Sequence, residues 1–323
     1  MTAYSAAFDW ARHTVSEGRL PTAVLGIATT EGTVALDAFG ATNGRAARTD
    51  DHYRLFSITK PLTGLVALRA IERGLLTPQT PLTTALPDFG GNRDDVVRLS
   101  HLVSHTSGVR EPALDVTDLR TELLKPGRDF AAGAASRYSS VAFDGVAALI
   151  EHATGAHWEA GLATLGDDIG ATFTFDESTD PHHVVDAETN GIDIAAMARL
   201  RHPGAGAIGR ATDLLALGTA LLRNDGTVVH PATAAMMLRP LTGDIPRLEP
   251  YPAERGQDWG FAWNLRTRAP GLIDRDVYGH GGWSGTEFWV HPSAGVAYVL
   301  LTNQGTRPGV DADELDNAVI AGR

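Results

Sequence analysis

Ser57-Ile58-Thr59-Lys60-Pro61-Leu62-Thr63-Gly64-Leu65-Val66-Ala67-Leu68-Arg69-Ala70-Ile71-Glu72-Arg73-Gly74 reads as one helix with a serine at its head. Leu62, Leu65, Val66, Leu68 and Ile71 recur at helical spacing and give an apolar face. Pro61 falls in the first turn, where backbone N–H groups lack partners in any case. Gly74 suits a left-handed stop. A helix starting at Ser57 places Lys60 one turn on, on the same face as the hydroxyl. An amine there can take the serine proton, and the free N–H groups of the helix start favour negative charge.

Composition sharpens the pairing. Of 27 basic residues only Lys60 and Lys125 are lysines. Arginine does not release its proton, whereas a buried lysine can be drawn towards neutrality. Ser-x-x-Lys is a short pattern, and a surface lysine in a first turn remains the competing reading.

The rest of the chain bounds the answer. Its 323 residues imply one large or two interleaved domains, and 43% hydrophobic with 20% charged content fits a soluble globular protein. A net charge of −12 and no basic stripe argue against nucleic acid. The absence of cysteine excludes disulfides and thiolate chemistry. The first residues, Met1-Thr-Ala-Tyr-Ser-Ala-Ala-Phe, lack a basic start and apolar run, and no run spans a membrane, so a cytoplasmic location is expected.

Residues 3–18 suit an amphipathic helix, with Phe8, Ala11 and Val15 on one side. Thr22–Thr29 and Thr33–Phe39 suit a β-hairpin around Thr30-Glu31-Gly32, and Tyr53–Phe56 a short strand. Helical stretches at 97–104, 115–125, 141–153 and 212–223 follow, then strands at 259–265, 286–291 and 295–302, and a closing helix at 311–321. Strands at both ends with helices between predict an α+β fold: an antiparallel sheet built from both termini, flanked by helices, with an all-helical insert.

Three motif matches fail. Gly204-Ala-Gly206-Ala-Ile-Gly209 fits the dinucleotide pattern but follows a proline rather than a strand, so it reads as a loop between helices. His280-Gly281-Gly282 has no downstream Gly-x-Ser-x-Gly. His101 and His105 lack the glutamate and third ligand of a zinc site.

Four motifs in order carry a resemblance: Phe56-Ser57-Ile-Thr-Lys60-Pro, Leu102-Val-Ser-His105-Thr-Ser-Gly108, Tyr138-Ser139-Ser140 and Gly279-His280-Gly-Gly282. From about residue 20 to 303 the chain resembles the serine β-lactamase-like superfamily, on the branch of class C β-lactamases, DD-peptidases, D-aminopeptidases and related esterases. The resemblance implies a sheet domain from 1–73 and 205–323, an all-helical domain from 74–204, and a cleft between them. It implies Ser57 as the acylated nucleophile, with Lys60 and Tyr138 sharing the base role, the proton holder left open. The backbone N–H groups of Ser57 and Trp283 would form the oxyanion hole. His280-Gly281-Gly282 would stand where many relatives have Lys-Thr-Gly, at the edge strand beside the substrate, and the His105 segment would be structural.

Two departures bear on substrate. Ser140 stands where the family has Asn, and is expected on the substrate side with less reach for an acylamino group. His280 replaces a lysine, making a fixed charge one that varies with pH. A charged Lys60 is expected to lower Tyr138, whose ordinary value near 10 makes it a poor base. The expected function is cleavage of a small ester, amide or peptide through acyl-Ser57, with no cofactor and no metal. An acyltransferase or peptide cyclase, and a non-catalytic binding module, are the alternatives.

Overall fold

The computed structural model of the protein describes residues 3–251, 256–269 and 273–322. The chain opens with α1 (Ser5–Ser16), β1 (Thr22–Thr29), β2 (Gly32–Thr42), β3 (Arg45–Ala46) and β4 (Tyr53–Arg54). A 3₁₀ turn at Phe56–Ile58 leads into α2 (Thr59–Glu72). There follow α3 (Leu99–Val103), α4 (Leu119–Leu124), α5 (Ala142–Thr154), α6 (Trp158–Ile169) and α7 (Ile194–Arg199). Next come β5 (Ile208–Gly209), α8 (Ala211–Arg223) and α9 (Pro231–Met237). The chain closes with β6 (Asp258–Trp259), β7 (Asn264–Leu265), β8 (Tyr278–Gly281), β9 (Glu287–His291), β10 (Val296–Leu301) and α10 (Ala312–Ala321).

The two ends of the chain meet in one antiparallel sheet of order β3-β2-β1-β10-β9-β8-β7-β6, as the sequence predicts. At its centre Gly26 of β1 lies opposite Val299 of β10 and Leu36 of β2. Both faces of β1 are buried, which explains its nearly unbroken apolar run. Ala23, Leu25 and Ile27 pack with Ala7 and Ala11 of α1 and Leu315 and Val319 of α10. Val24 and Ala28 face the other way, into the core that holds Leu214 and Leu215 of α8.

On that second side α2 packs against α5 and α6. It is buried along nearly its whole length, so its apolar face is wider than the one stripe read from the sequence. Gly74 ends it at φ +72°, the left-handed stop expected. A second small sheet joins β4 to β5, with Tyr53 opposite Gly209, and so ties the chain before Ser57 to the glycine loop at 204–209. No helix among the described residues is long and apolar enough to cross a membrane.

Two local expectations change. The run Trp259–Leu265 is not one strand but two dipeptide strands around a turn. The turn is drawn out towards the helices: Ala262 has φ +69°, its N–H donates to the Val103 carbonyl at 3.0 Å, and its Cβ abuts Gly64 of α2. A Cβ on Gly64 would lie 2.4 Å from that of Ala262. Second, β8 is not the edge strand, because β7 and β6 lie beyond it. β7 pairs with β8 only at Tyr278 and Gly279, so beyond those residues His280 and Gly281 are paired on the β9 side alone.

Candidate active site

The turn that carries Ser57 is sharper than a helix start. Leu55 continues the β4–β5 pairing through its N–H to the Ala207 carbonyl at 2.8 Å. Phe56 then takes φ +45°, a left-handed conformation that costs a non-glycine residue on the order of 1–2 kcal/mol. Ser57 sits in the 3₁₀ turn and α2 begins only at Thr59. Thr59 Oγ1 donates to the Phe56 carbonyl at 2.6 Å and accepts from the Ala207 N–H at 3.0 Å, fixing the turn from both sides. Ser57 is partly buried and Lys60, one turn on, is fully buried.

Lys60 Nζ has three oxygen neighbours: Ser57 Oγ at 3.0 Å, Ser140 Oγ at 3.0 Å and the Gly204 carbonyl at 2.8 Å. Burial draws its pKa down to about 7, against a partial lift from the Glu111 carboxylate. The glycine loop that resembled a dinucleotide motif is part of this cradle. His202 Nδ1 accepts from the Gly204 N–H at 2.9 Å, and Thr63 Oγ1 donates to the Pro203 carbonyl at 2.6 Å.

Tyr138 is brought to the same place. Its ring lies under Lys60 Nζ, 4.5 Å from ring centroid to nitrogen, and its hydroxyl interacts with the Ser57 hydroxyl. Burial pushes the phenol well above its ordinary value, with the Ser57 hydroxyl a smaller opposing effect. The expected lowering by an ammonium is not found: burial dominates the phenol and raises it. His105 holds the segment. Its carbonyl accepts from Arg137 N–H at 2.9 Å, its Nδ1 from Ser139 N–H at 3.1 Å, and its ring stacks 4.3 Å from Tyr138. His101 instead caps α3, its Nδ1 accepting from the Arg98 N–H at 3.2 Å. Among the described residues no group of three or more potential ligands could hold a metal.

Ser140 differs from expectation. It is buried, and its hydroxyl faces Lys60 rather than the opening. His280 also differs. Burial lowers its pKa to about 3, with Lys60 adding to the effect, so it is neutral across the physiological range and supplies no pH-dependent charge. Nδ1–H donates to the Gly281 carbonyl at 2.7 Å, which leaves the Nε2 lone pair 3.5 Å from the Tyr138 hydroxyl, at the limit of a hydrogen bond.

The turn after β8 leans on the chain just before the serine. Thr286 Oγ1 donates to the Leu55 carbonyl at 3.3 Å, and Gly282 N–H to the Thr286 carbonyl at 2.6 Å. A Cβ on Gly282 would stand 2.0 Å from Thr286 Oγ1 and 2.5 Å from the Leu55 carbonyl, so this approach requires glycine. Trp283 follows, its ring 5.5 Å from that of Phe56. Arg307 Nη1 holds the turn by donating to the carbonyls of Trp283, Gln304 and Gly305 at 3.3, 2.6 and 3.0 Å.

Sequence reasoning missed Glu111, which interacts with Lys60 and accepts from the Ser140 N–H at 2.7 Å. An acid three residues beyond a glycine turn carries no pattern that marks it. A cavity of about 980 Å³ lies elsewhere: Arg54, Glu177, Ile192 and Arg199 line it, and none of Ser57, Lys60 or Tyr138 does. The hydroxyl–amine–phenol cluster thus lies apart from that cavity.

Comparison with known proteins agrees with the architecture. Esterase EstB of Burkholderia gladioli is 28% identical over 324 residues, covering 80% of this chain and 79% of its own. A penicillin-binding protein homologue from Caulobacter crescentus shares the fold at TM-score 0.82 and 18% identity, over 98% of this chain and 96% of its own. EstCE1, described as a hydrolase with promiscuous acyltransferase activity, shares it at TM-score 0.81 and 20% identity, over 98% and 97%. The Beta-lactamase family model matches residues 8–323, and the chain belongs to that family.

Proposed function

We propose that the protein is a serine hydrolase that cleaves small uncharged esters through an acyl-Ser57 intermediate. The observation that carries this is the buried Lys60 amine, 3.0 Å from Ser57 Oγ, whose pKa burial draws down to about 7. A neutral amine has two N–H groups and one lone pair. The Gly204 carbonyl and Ser140 Oγ take the two N–H groups, which leaves the lone pair for the Ser57 hydroxyl. Lys60 accepts the serine proton as Oγ attacks the acyl carbon. The oxyanion is held by the N–H groups of Ser57 and Trp283. The Tyr138 phenol protonates the leaving alkoxide and is restored through Lys60; water then releases the acid by the same route in reverse.

Substrate class follows from charge. His105, His202 and His280 are all neutral around the amine, and Ser140 is turned away from the opening. None of these four residues therefore offers a charged partner to a carboxylate or an acylamino group. Ile192, Ile194 and Trp283, partly buried, pack on the buried Phe56 and Met197 next to the Ser57 turn, and their exposed parts suit an aliphatic acyl or alcohol portion. The same reading divides the chain into a sheet unit, 1–73 with 205–323, and a helical unit, 74–204, with the cleft between them.

Acyl transfer is the second reading, with an alcohol or amine replacing water. It is favoured by likeness to EstCE1, which is described as a hydrolase with promiscuous acyltransferase activity. Product analysis of nitrophenyl butyrate turnover, with and without added alcohols and amines, tests both. Free butyrate alone supports hydrolysis, new esters or amides support transfer, and turnover undiminished in Ser57→Ala overturns both.

A further inference from the structure

Glu111 lies in the loop after α3 and takes no part in the proton route above. The residue is exposed as a whole, but its carboxylate reaches inward over the start of α5. Oε2 accepts from the N–H of Ser140 at 2.7 Å and of Val141 at 3.2 Å, and the carboxylate also interacts with Ser139. These residues follow Tyr138 directly, and Ser140 Oγ is one of the three oxygens around Lys60 Nζ. One side chain thus reaches both the segment that carries the phenol and the surroundings of the amine.

We infer that Glu111 is a positioning residue for the Ser57 site: its carboxylate fastens the Tyr138–Val141 segment and, by its charge, holds the Lys60 amine in its working state. The inference rests on the reading of Lys60 as the base for Ser57. Around Lys60 the ionisable groups are Glu111 from the loop, His105 from the end of α3, Tyr138 before α5, His202 from the glycine loop and His280 from β8. The three histidines are held neutral by burial, which is deepened by Lys60 itself. Burial raises the Glu111 carboxyl while Lys60 lowers it, so each favours the other's charged form, and Glu111 is the one group of this set that lifts Lys60 against its burial. Arg93 and Arg110 on the far side are engaged by Asp95 and Asp129. Without the carboxylate the amine would stay neutral at lower pH and bind its proton less readily in the transition state, so the base would be available sooner but weaker.

The chain's two lysines make the test direct. With ¹³C-labelled lysine, the spectrum contains Lys60 and Lys125 alone, and Lys60→Arg assigns them. Glu111→Gln keeps an acceptor for Ser140 and Val141 but removes the charge; Glu111→Ala removes both. The Lys60 signal should titrate near pH 7 in the native protein and about one unit lower in Glu111→Gln, with the Lys125 signal identical in both. Hydrogen exchange at the Ser140 and Val141 amides should stay slow in Glu111→Gln and become fast in Glu111→Ala. A Lys60 titration unmoved in Glu111→Gln, or equal exchange in the two variants, overturns the assignment. The acid limb of Ser57 labelling by a fluorophosphonate should move with the Lys60 signal. A limb that stays while the signal moves overturns Lys60 as base and leaves the role of Glu111 intact.

Discussion

Replacing Lys60 by arginine separates proton acceptance from charge. Arginine keeps a cation on a long stem and can still donate to the Gly204 carbonyl and Ser140 Oγ, but it offers no lone pair. The native amine, at about 7, is half neutral at pH 7 and roughly one-tenth neutral at pH 6. The direction follows from the shift: burial lowers Lys60, the base is the unprotonated form, and so activity rises as pH passes up through 7. kcat/KM for a nitrophenyl ester should fall about fivefold from pH 7 to 6 and about tenfold per unit below that. In Lys60→Arg the loss at pH 8 should be on the order of 10²–10⁴-fold, close to that in Lys60→Ala, and the limb near 7 should vanish. Melting curves of both variants should match that of the native protein, which separates lost catalysis from unfolding. An arginine variant within a few-fold of native activity at pH 8 would refute the base role and leave Lys60 as a source of charge.

Three further outcomes are expected. His280 should keep its Nδ1–H tautomer without titrating between pH 5 and 8, as read by imidazole ¹⁵N shifts; a transition near 6.5 contradicts its burial. Gly282→Ala should slow acylation by on the order of 10-fold or more, since its Cβ drives the Trp283 turn off Leu55 and Thr286; the acylation burst measures this, and an unchanged burst argues against Trp283 as an oxyanion donor. Ester turnover should exceed β-lactam turnover by roughly two orders of magnitude; efficient penicillin hydrolysis by the native protein contradicts the substrate class.

The architecture was legible because burial on two faces leaves a strong trace. Val24 and Leu25 point to opposite sides of one strand and are both apolar, and the partner strand from the far end of the chain reads the same way. Ser57 and Lys60 were legible because a serine stands three residues before one of only two lysines at a helix start, whereas Tyr138 was legible only through the family resemblance of Tyr138-Ser139-Ser140. What failed to show were properties of surroundings. That Ser140 turns to Lys60, that His280 is neutral, and that Tyr138 is raised rather than lowered all depend on burial by residues distant in sequence. The fold of 259–265 depends likewise on Gly64, some 200 residues away, and Glu111 acts through a backbone N–H that no sequence pattern records.

The central claim is that one hydroxyl becomes acylated. Intact-protein mass spectrometry after brief exposure to a fluorophosphonate or an activated ester, followed by peptide mapping, reads this directly. The account predicts a single adduct on Ser57, absent from Ser57→Ala and slowed in Lys60→Arg. An adduct on Ser139, Ser140 or Ser284, or full ester turnover with no serine labelled, would contradict it.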